Sequence, residues 1–447
     1  MEQDLTTGSV FKRIVYFSLP YLLSYFLQTL YGMADLFITG QFYGVDTITA
    51  VSNGSQIMHM MTVIIVGLAM GTTVTIGHSV GAKCMEQAEK IIGNTITLFM
   101  GIAVAFTVIL VVLVKPIVVL IATPQEAVAG TSIYLLICFI GIPFITVYNI
   151  ISSIFRGLGD SKSPMYFIGI ACVMNIALDY LFMGAFHMGA AGAALGTVCA
   201  QTFSVLVALW VIRRRKTGIS LKKSDFKIET AVIGQVLKIG IPVALQDGFI
   251  QVAFMIITVI ANSRGVSDAA AVGVVEKVIS ALFIVPSSML ATVSALSAQN
   301  LGAGKEKRAT DTLHYATVIT TIYGMIVAVL IQFIAENVVG IFTSDTTVVT
   351  MGSAYIRSYI WDCIFAGIHF SFSGYFAACG KSYIGFLHNI ISITFVRVPG
   401  SYLASKYFTD TLYPMGLAAP AGSLVSVAIC VTAFILLKRK SRVAQTA

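Results

Sequence analysis

"RGLGDSKSP", Arg156–Pro164, and "AACGKSYIG", Ala377–Gly385, begin 221 residues apart in a chain of 447 residues. The same offset sets "VGA" at Val80 against "LGA" at Leu301, Gly44 against Gly265, Tyr134 against Tyr355, and Phe155 against Phe376. A register kept over that distance marks an internal duplication, so the fold is expected to hold two copies of one unit.

Each copy is apolar enough to live in a bilayer. Hydrophobic residues make up 57% of the chain and charged ones 11%, with a mean hydropathy of +0.89, which excludes a soluble globular protein. Twelve apolar stretches are long enough to cross as helices, at approximately 14–40, 48–77, 91–114, 132–155, 164–186, 190–212, 233–261, 269–298, 313–335, 352–378, 384–405 and 416–437. Gly, Ala, Ser and Thr run through them, as close packing of helices in lipid requires. The expected fold is an all-α polytopic membrane protein of two six-helix bundles, 1–212 and 232–447, joined by a polar connector at 213–231. Six crossings per copy send both copies into the membrane in the same direction, which relates them by an axis along the membrane normal. Parallel repeats of that kind belong to transporters that alternate access by rocking one bundle against the other.

The formal charge of +8 follows topology and leaves nucleic acid out of account. With twelve crossings, 22 Lys and Arg residues fall on the side of the N-terminus, and only Lys115, Arg264 and Lys406 on the other. The positive-inside rule then makes both termini cytoplasmic and the location the cell (inner or plasma) membrane. The connector opens with "RRRKTGISLKKSDF" and reads as a solvated cytoplasmic link. The first span has no small-residue cleavage site behind a short apolar core, so it reads as a retained helix. Seven cysteines without CxxC spacing predict neither disulfides nor a structural metal site.

A charge buried in the bilayer costs at least about 2.5–3.5 kcal/mol, so intramembrane ionisable residues are the first functional candidates. The acids within the spans are Asp35, Asp179, Asp247, Glu276 and Asp362; the bases are Lys277, Arg357 and Arg397. In "MNIALDYLFMG", Asn175 and Asp179 are four residues apart, on one helix face. At about 1.5 Å per residue, Asp35, Asp179 and Thr197 lie about 8–10 Å from the outer ends of their helices, and Asn175 one turn deeper. No basic residue inside that bundle balances them. Two carboxylates, an amide and a hydroxyl at one depth suit a monovalent cation or a shared proton. The duplication supplies a control: the matching positions of the second half hold Ile256 or Ile257, Ser401 or Tyr402, and Arg397. The acids are therefore no requirement of the fold.

The second half carries Asp247, Gln251, Glu276, Asp362 and Arg397, which read either as a salt-bridge network or as residues lining a substrate cleft. Glu276 and Lys277 are adjacent and cannot point the same way. His59, His78, His369 and His388 read as packing residues, since no HExxH-like spacing occurs. Pro20 and Pro242 sit early in spans one and seven, where kinks are expected.

"SLPYLLSYFLQTLYGMADLFITG", "GTTVTIGHSVGAK", "FRGLGDSKSPM", "NIALDYLF" and "GAALGTVCAQ" occur in an order that resembles the multidrug and toxic compound extrusion (MATE) family, from Phe11 to about Leu437. The resemblance implies a V-shaped antiporter that exchanges H+ or Na+ for organic, often cationic, compounds. Its N-lobe cation site falls on Asp35, Asn175, Asp179 and Thr197. Where one branch carries a second acidic site, this chain has Gln251 and about Ala366, so it looks closer to the DinF-like branch. The resemblance implies no cofactor, small organic substrates, surrounding lipid and a monomer. A lipid or polysaccharide-precursor flippase of the same superfamily is the alternative, disfavoured because only Lys277 and Arg397 offer positive charge for a pyrophosphate. An enzyme is not expected, for lack of a nucleophile and base at reactive spacing. A channel would require a repeated filter motif, and none is present.

Overall fold

The computed structural model describes residues 4–214 and 220–446. Arg215 and Lys216 of the basic run, with 217–219, lie outside the described residues. Where a long apolar run meets lipid, every backbone amide must find a partner within its own segment, and the helix is the solution available to a single run. The twelve expected spans are twelve helical stretches: α1 (Val10–Phe42), α2 (Val45–Gly81), α3 (Met85–Leu120), α4 (Gln125–Ile140 with Ile142–Gly157), α5 (Lys162–Ala185) and α6 (Gly189–Arg214) in the first half. The second half repeats the order as α7 (Thr230–Asn262), α8 (Val266–Gly302), α9 (Glu306–Gly340), α10 (Thr346–Tyr359 with Asp362–Ala378), α11 (Ser382–Ser392, Ile393–Arg397 and Val398–Tyr407) and α12 (Tyr413–Thr446). Among the described residues, eight are by themselves long and apolar enough to cross a membrane, and α4, if its bent pair is one span, makes nine. The other three, α1, α10 and α11, are diluted by Tyr, Ser, Gln and charged residues, which is also where several candidate site residues lie.

The opening stretch and its counterpart fold alike. Gly159 and Gly380 both adopt positive φ, +93° and +69°. In each turn the glycine N–H reaches back three residues, to the carbonyls of Arg156 (3.0 Å) and Ala377 (2.9 Å). The next residue reaches back five, from Asp160 to Phe155 and from Lys381 to Phe376, at 2.8 Å in both. A left-handed residue closing the last turn in this way is the reason for glycine there. At the end of α2 the corresponding position is Lys83, φ +59°, where the repeat has Gly304, φ +71°.

Breaks in the helices have local causes. α4 bends by 51° between its two segments, where Gly141 is followed by Pro143 at the start of the next turn. In α8, Pro286 has no N–H to offer Leu282, and that carbonyl is instead taken by the Tyr323 hydroxyl of α9 at 2.9 Å. α5 and α11 each widen into a π-helical segment, Tyr180–Ala185 and Ile393–Arg397. Pro399 follows the second and accounts for it; no proline stands behind the first.

The chain divides into two compact units, one chiefly Val15–Ala244, the other Gly8–Ile14, Leu245–Leu301 and the chain from Lys305 onward. In the first, buried side chains of α2, α4 and α6, among them Val51, Leu135, Cys138 and Ala194, form an apolar core. In the second, Val272, Val275, Ala335, Tyr355 and Ile356 do the same. Glycines let backbones approach: a Cβ on Gly71 would strike the carbonyl oxygen of Val236. By contrast α3 is only 11% buried over its apolar window and exposes Val104, Val108, Ile109 and Val112, as a lipid-facing helix does. The described end of the connector is held against α3, with Asn94 Nδ2 donating to the Asp225 carbonyl (3.1 Å) and Glu229 N–H donating to Asn94 Oδ1 (2.7 Å).

Candidate functional site

The first unit gathers Asp35 from α1, Asn175 and Asp179 from α5, and Thr197 from α6. Their side chains are buried in sequence order at 2%, 1%, 0% and 9% exposure, which removes solvent as a source of hydrogen bonds. Thr197 Oγ1 donates to Asp35 Oδ2 at 3.3 Å, and Asn175 and Asp179 face the same carboxylate. Only the threonine bond has good geometry. Asp35 Oδ1, both oxygens of Asp179 and both amide atoms of Asn175 are buried without a hydrogen-bond partner. Groups of this kind left unpaired are expensive, and two carboxylates side by side with no basic partner call for a positive charge between them. The donor set, hard oxygens with one amide, is of a kind that suits a proton or a monovalent cation.

Local structure holds these groups in place. The i, i+4 spacing puts Asn175 and Asp179 on one face, and Asp179 is the last residue before the π-helical segment, a distortion that recurs at functional sites. That segment is tied to α1. Thr39 Oγ1, which donates to the Asp35 carbonyl at 2.6 Å, also contacts Met183 Sδ at 3.5 Å. Tyr43 donates to the Met183 carbonyl (3.1 Å) and accepts from Gly189 N–H (2.9 Å). On the α6 side, Gly196 leaves the space that Asp179 Oδ1 occupies; any Cβ there would collide with it. Reading the sequence missed Thr39, Tyr43 and Gly196. The last had a signal, a glycine directly before Thr197 in a helix otherwise lined with alanine.

The second-half residues are dispersed among α7, α8, α10 and α11. Arg397 ends the π-helical segment of α11, is buried, donates to the Tyr359 hydroxyl, and lies 5.0 Å from the Phe254 ring centroid. Glu276 is half-buried and accepts from Thr258 Oγ1 at 3.3 Å, whereas its neighbour Lys277 is exposed, as adjacent helical positions require. Asp362 is buried with both oxygens unpaired. Asp362 and Glu276 feel the charge of Arg397, yet neither approaches it within ion-pair distance. Among the described residues these side chains therefore do not form the salt-bridge network that was one of their two readings. Asp247 and Gln251 are half-buried on α7, one turn apart. No three His, Cys, Asp or Glu side chains come together to hold a metal among the described residues.

Duplicated six-helix units in a membrane, one of them with a buried acidic site, are the architecture of a parallel-repeat polytopic transporter. The MatE family model matches the chain twice, over residues 20–181 and 242–403. The probable multidrug resistance protein YpnP of Bacillus subtilis is 30% identical over 415 residues, 93% of each chain. Multidrug export protein MepA of Staphylococcus aureus is 23% identical over 374 residues, 83% of this chain and 82% of that protein. Among solved structures, a MOP superfamily transporter from Pyrococcus furiosus superposes with a TM-score of 0.90 at 20% identity, over 98% of this chain and 97% of its own. The protein belongs to the MATE family of multidrug efflux transporters, and one matched segment falls in each half of the duplication.

Proposed function

We propose that the protein is a secondary active exporter that exchanges H+ or Na+ for small organic compounds, often cationic, across the cell membrane, with both termini cytoplasmic. The cluster of buried, unpaired oxygen and amide atoms on Asp35, Asn175 and Asp179, with the Thr197 hydroxyl beside them, carries this reading. A cation or proton at that cluster stabilises the arrangement in which its oxygens converge, and substrate stabilises the other. Each ligand shifts the balance only by its difference in affinity for the two states, so mutual exclusion links the two fluxes. Asp247, Gln251, Glu276, Asp362 and Arg397 are assigned to substrate contact in the second half. No cofactor takes part, and the monomer is the working unit.

The test uses protein reconstituted in liposomes, with efflux of a fluorescent organic cation driven by an imposed Na+ gradient or an imposed pH gradient. Asp179→Asn keeps the shape of the side chain but removes its charge, and coupled efflux should be lost. The gradient that drives wild-type export names the ion. Full gradient-driven efflux by Asp179→Asn would sink the assignment.

A further inference from the structure

The connector reads from sequence as a solvated link, and the structure gives its described end a firmer place. Beyond the two bonds to Asn94, Thr97 Oγ1 donates to the Phe226 carbonyl at 3.0 Å, and Glu89 accepts from Ser220 N–H at 2.7 Å. Gly93 lets the connector backbone lie flush on α3, since a Cβ there would strike the Asp225 carbonyl. The Asp225 carboxylate is buried and accepts from Lys222 N–H at 2.7 Å, which closes a tight turn. Residues 220–229 are therefore fixed along α3 from Glu89 to Thr97.

This anchoring leaves a mixed set of side chains outside. Leu221, Phe226 and Ile228 are 39%, 39% and 64% exposed, and Lys222, Lys223 and Lys227 are exposed among them. None of the three lysines has a carboxylate within ion-pair distance among the described residues. With Asp225 buried, Glu229 is the one exposed acid in 220–229. Scattered exposed apolar side chains are ordinary on a loop in water, and depth is what distinguishes these. The surface of α3 open to lipid starts at Gly101 and includes Val104 and Val108, whereas 91–100 is buried or half-buried. Thr97 lies one turn before Gly101, about 6 Å along the axis. The headgroup layer is about 5–8 Å thick on each side of the hydrocarbon core. Phe226, bonded to Thr97 through its carbonyl, thus lies within that layer, where apolar side chains reach acyl chains and lysines reach phosphates.

We infer that the connector binds anionic phospholipid of the adjoining leaflet: Leu221, Phe226 and Ile228 enter the acyl boundary, and Lys222, Lys223 and Lys227 hold the phosphate groups. Charge complementarity selects the partner. Three unpaired lysines attract a surface of net negative charge, whereas the phosphate of a zwitterionic lipid is balanced by its own ammonium.

The probe is phosphatidylglycerol brominated on its acyl chains, with brominated phosphatidylcholine as the comparison, each in nanodiscs of otherwise unbrominated phosphatidylcholine. The chain has two tryptophans, so full-length protein carrying Trp210→Phe, Trp361→Phe and Phe226→Trp reports from the connector alone. Ile228→Trp in the same background gives a second reporter. Quenching should favour phosphatidylglycerol about fivefold or more, the scale of one basic side chain at an anionic surface. In about 1 M salt, where the Debye length is about 3 Å, the preference should fall to within about twofold. Lys222→Gln, Lys223→Gln and Lys227→Gln together should remove it. Lys12→Gln, Lys83→Gln and Lys307→Gln together take the same charge from exposed positions elsewhere and should leave it intact. Equal quenching by the two lipids overturns the proposal whether or not the lysine variants fold, as does a preference that the first triple variant keeps or the second loses. Quenching by neither lipid also overturns it, and gives the patch to water or a soluble partner.

Discussion

Gly196→Ala adds one methyl group at the most confined point of the acidic site. The new Cβ would overlap Asp179 Oδ1 and lie 3.3 Å from its Cγ, and the Asp179 backbone nitrogen is only 3.6 Å away. Relief requires the carboxylate to rotate from its position or α5 and α6 to separate. Overpacking of this kind costs about 1–3 kcal/mol, which corresponds to about five- to 150-fold in an equilibrium constant. That cost divides between a lower Tm and a higher half-saturation for the driving ion, and the two should together account for it. Alanine also gains about 1 kcal/mol of helix propensity over glycine. Gly101→Ala measures that gain by itself, since its methyl meets nothing within 4 Å. The assays are thermal unfolding in nanodiscs and gradient-driven efflux in liposomes at graded concentrations of the driving ion. If Gly196→Ala melts with Gly101→Ala and its half-saturation stays within about twofold of wild type, the geometry drawn for Asp179 is wrong.

Thr197→Val removes the donor to Asp35 Oδ2 while keeping the shape, and should weaken apparent affinity for the driving ion about two- to tenfold, with Thr197→Ser close to wild type; ion-dependent efflux reads both. Arg397→Met removes the positive charge that buried Asp362 and half-buried Glu276 both feel and should destabilise by about 2 kcal/mol or more, whereas exposed Lys277→Met should stay within about 0.5 kcal/mol in the same melting experiment. Lys83→Gly relieves a left-handed backbone that the repeat already fills with Gly304 and should raise stability by about 1 kcal/mol, seen as a higher Tm.

Much of this was legible because the bilayer imposes few rules. Length and hydropathy mark nine of the helices and the duplication supplies the pattern for the other three, and acids stranded in apolar runs pointed to Asp35 and Asp179. The 221-residue offset then showed that these acids have no acidic counterpart in the second half. Gly159 and Gly380 recur at that offset for a physical reason visible only in the structure: a turn that needs positive φ leaves glycine behind it twice. What stayed hidden depends on how one helix is rotated against another. Gly196 meeting Asp179, Tyr43 reaching Met183, and Arg397 choosing Tyr359 over an acid are contacts between segments whose relative rotation no single-helix pattern encodes. The π-helical segments were equally invisible, because one added residue per turn leaves the apolar composition unchanged.

The first compact unit runs on past the connector to Ala244, two residues beyond Pro242, and takes in the opening turns of α7, where Val236 packs on Gly71. Anyone dividing the gene into two half-length polypeptides would naturally cut at the polar link. Such a cut would strip the first fragment of the helix that Gly71 was shaped to receive and leave that notch open to lipid. Fragments meant to fold apart from each other should instead overlap, both carrying the Thr230–Ala244 segment.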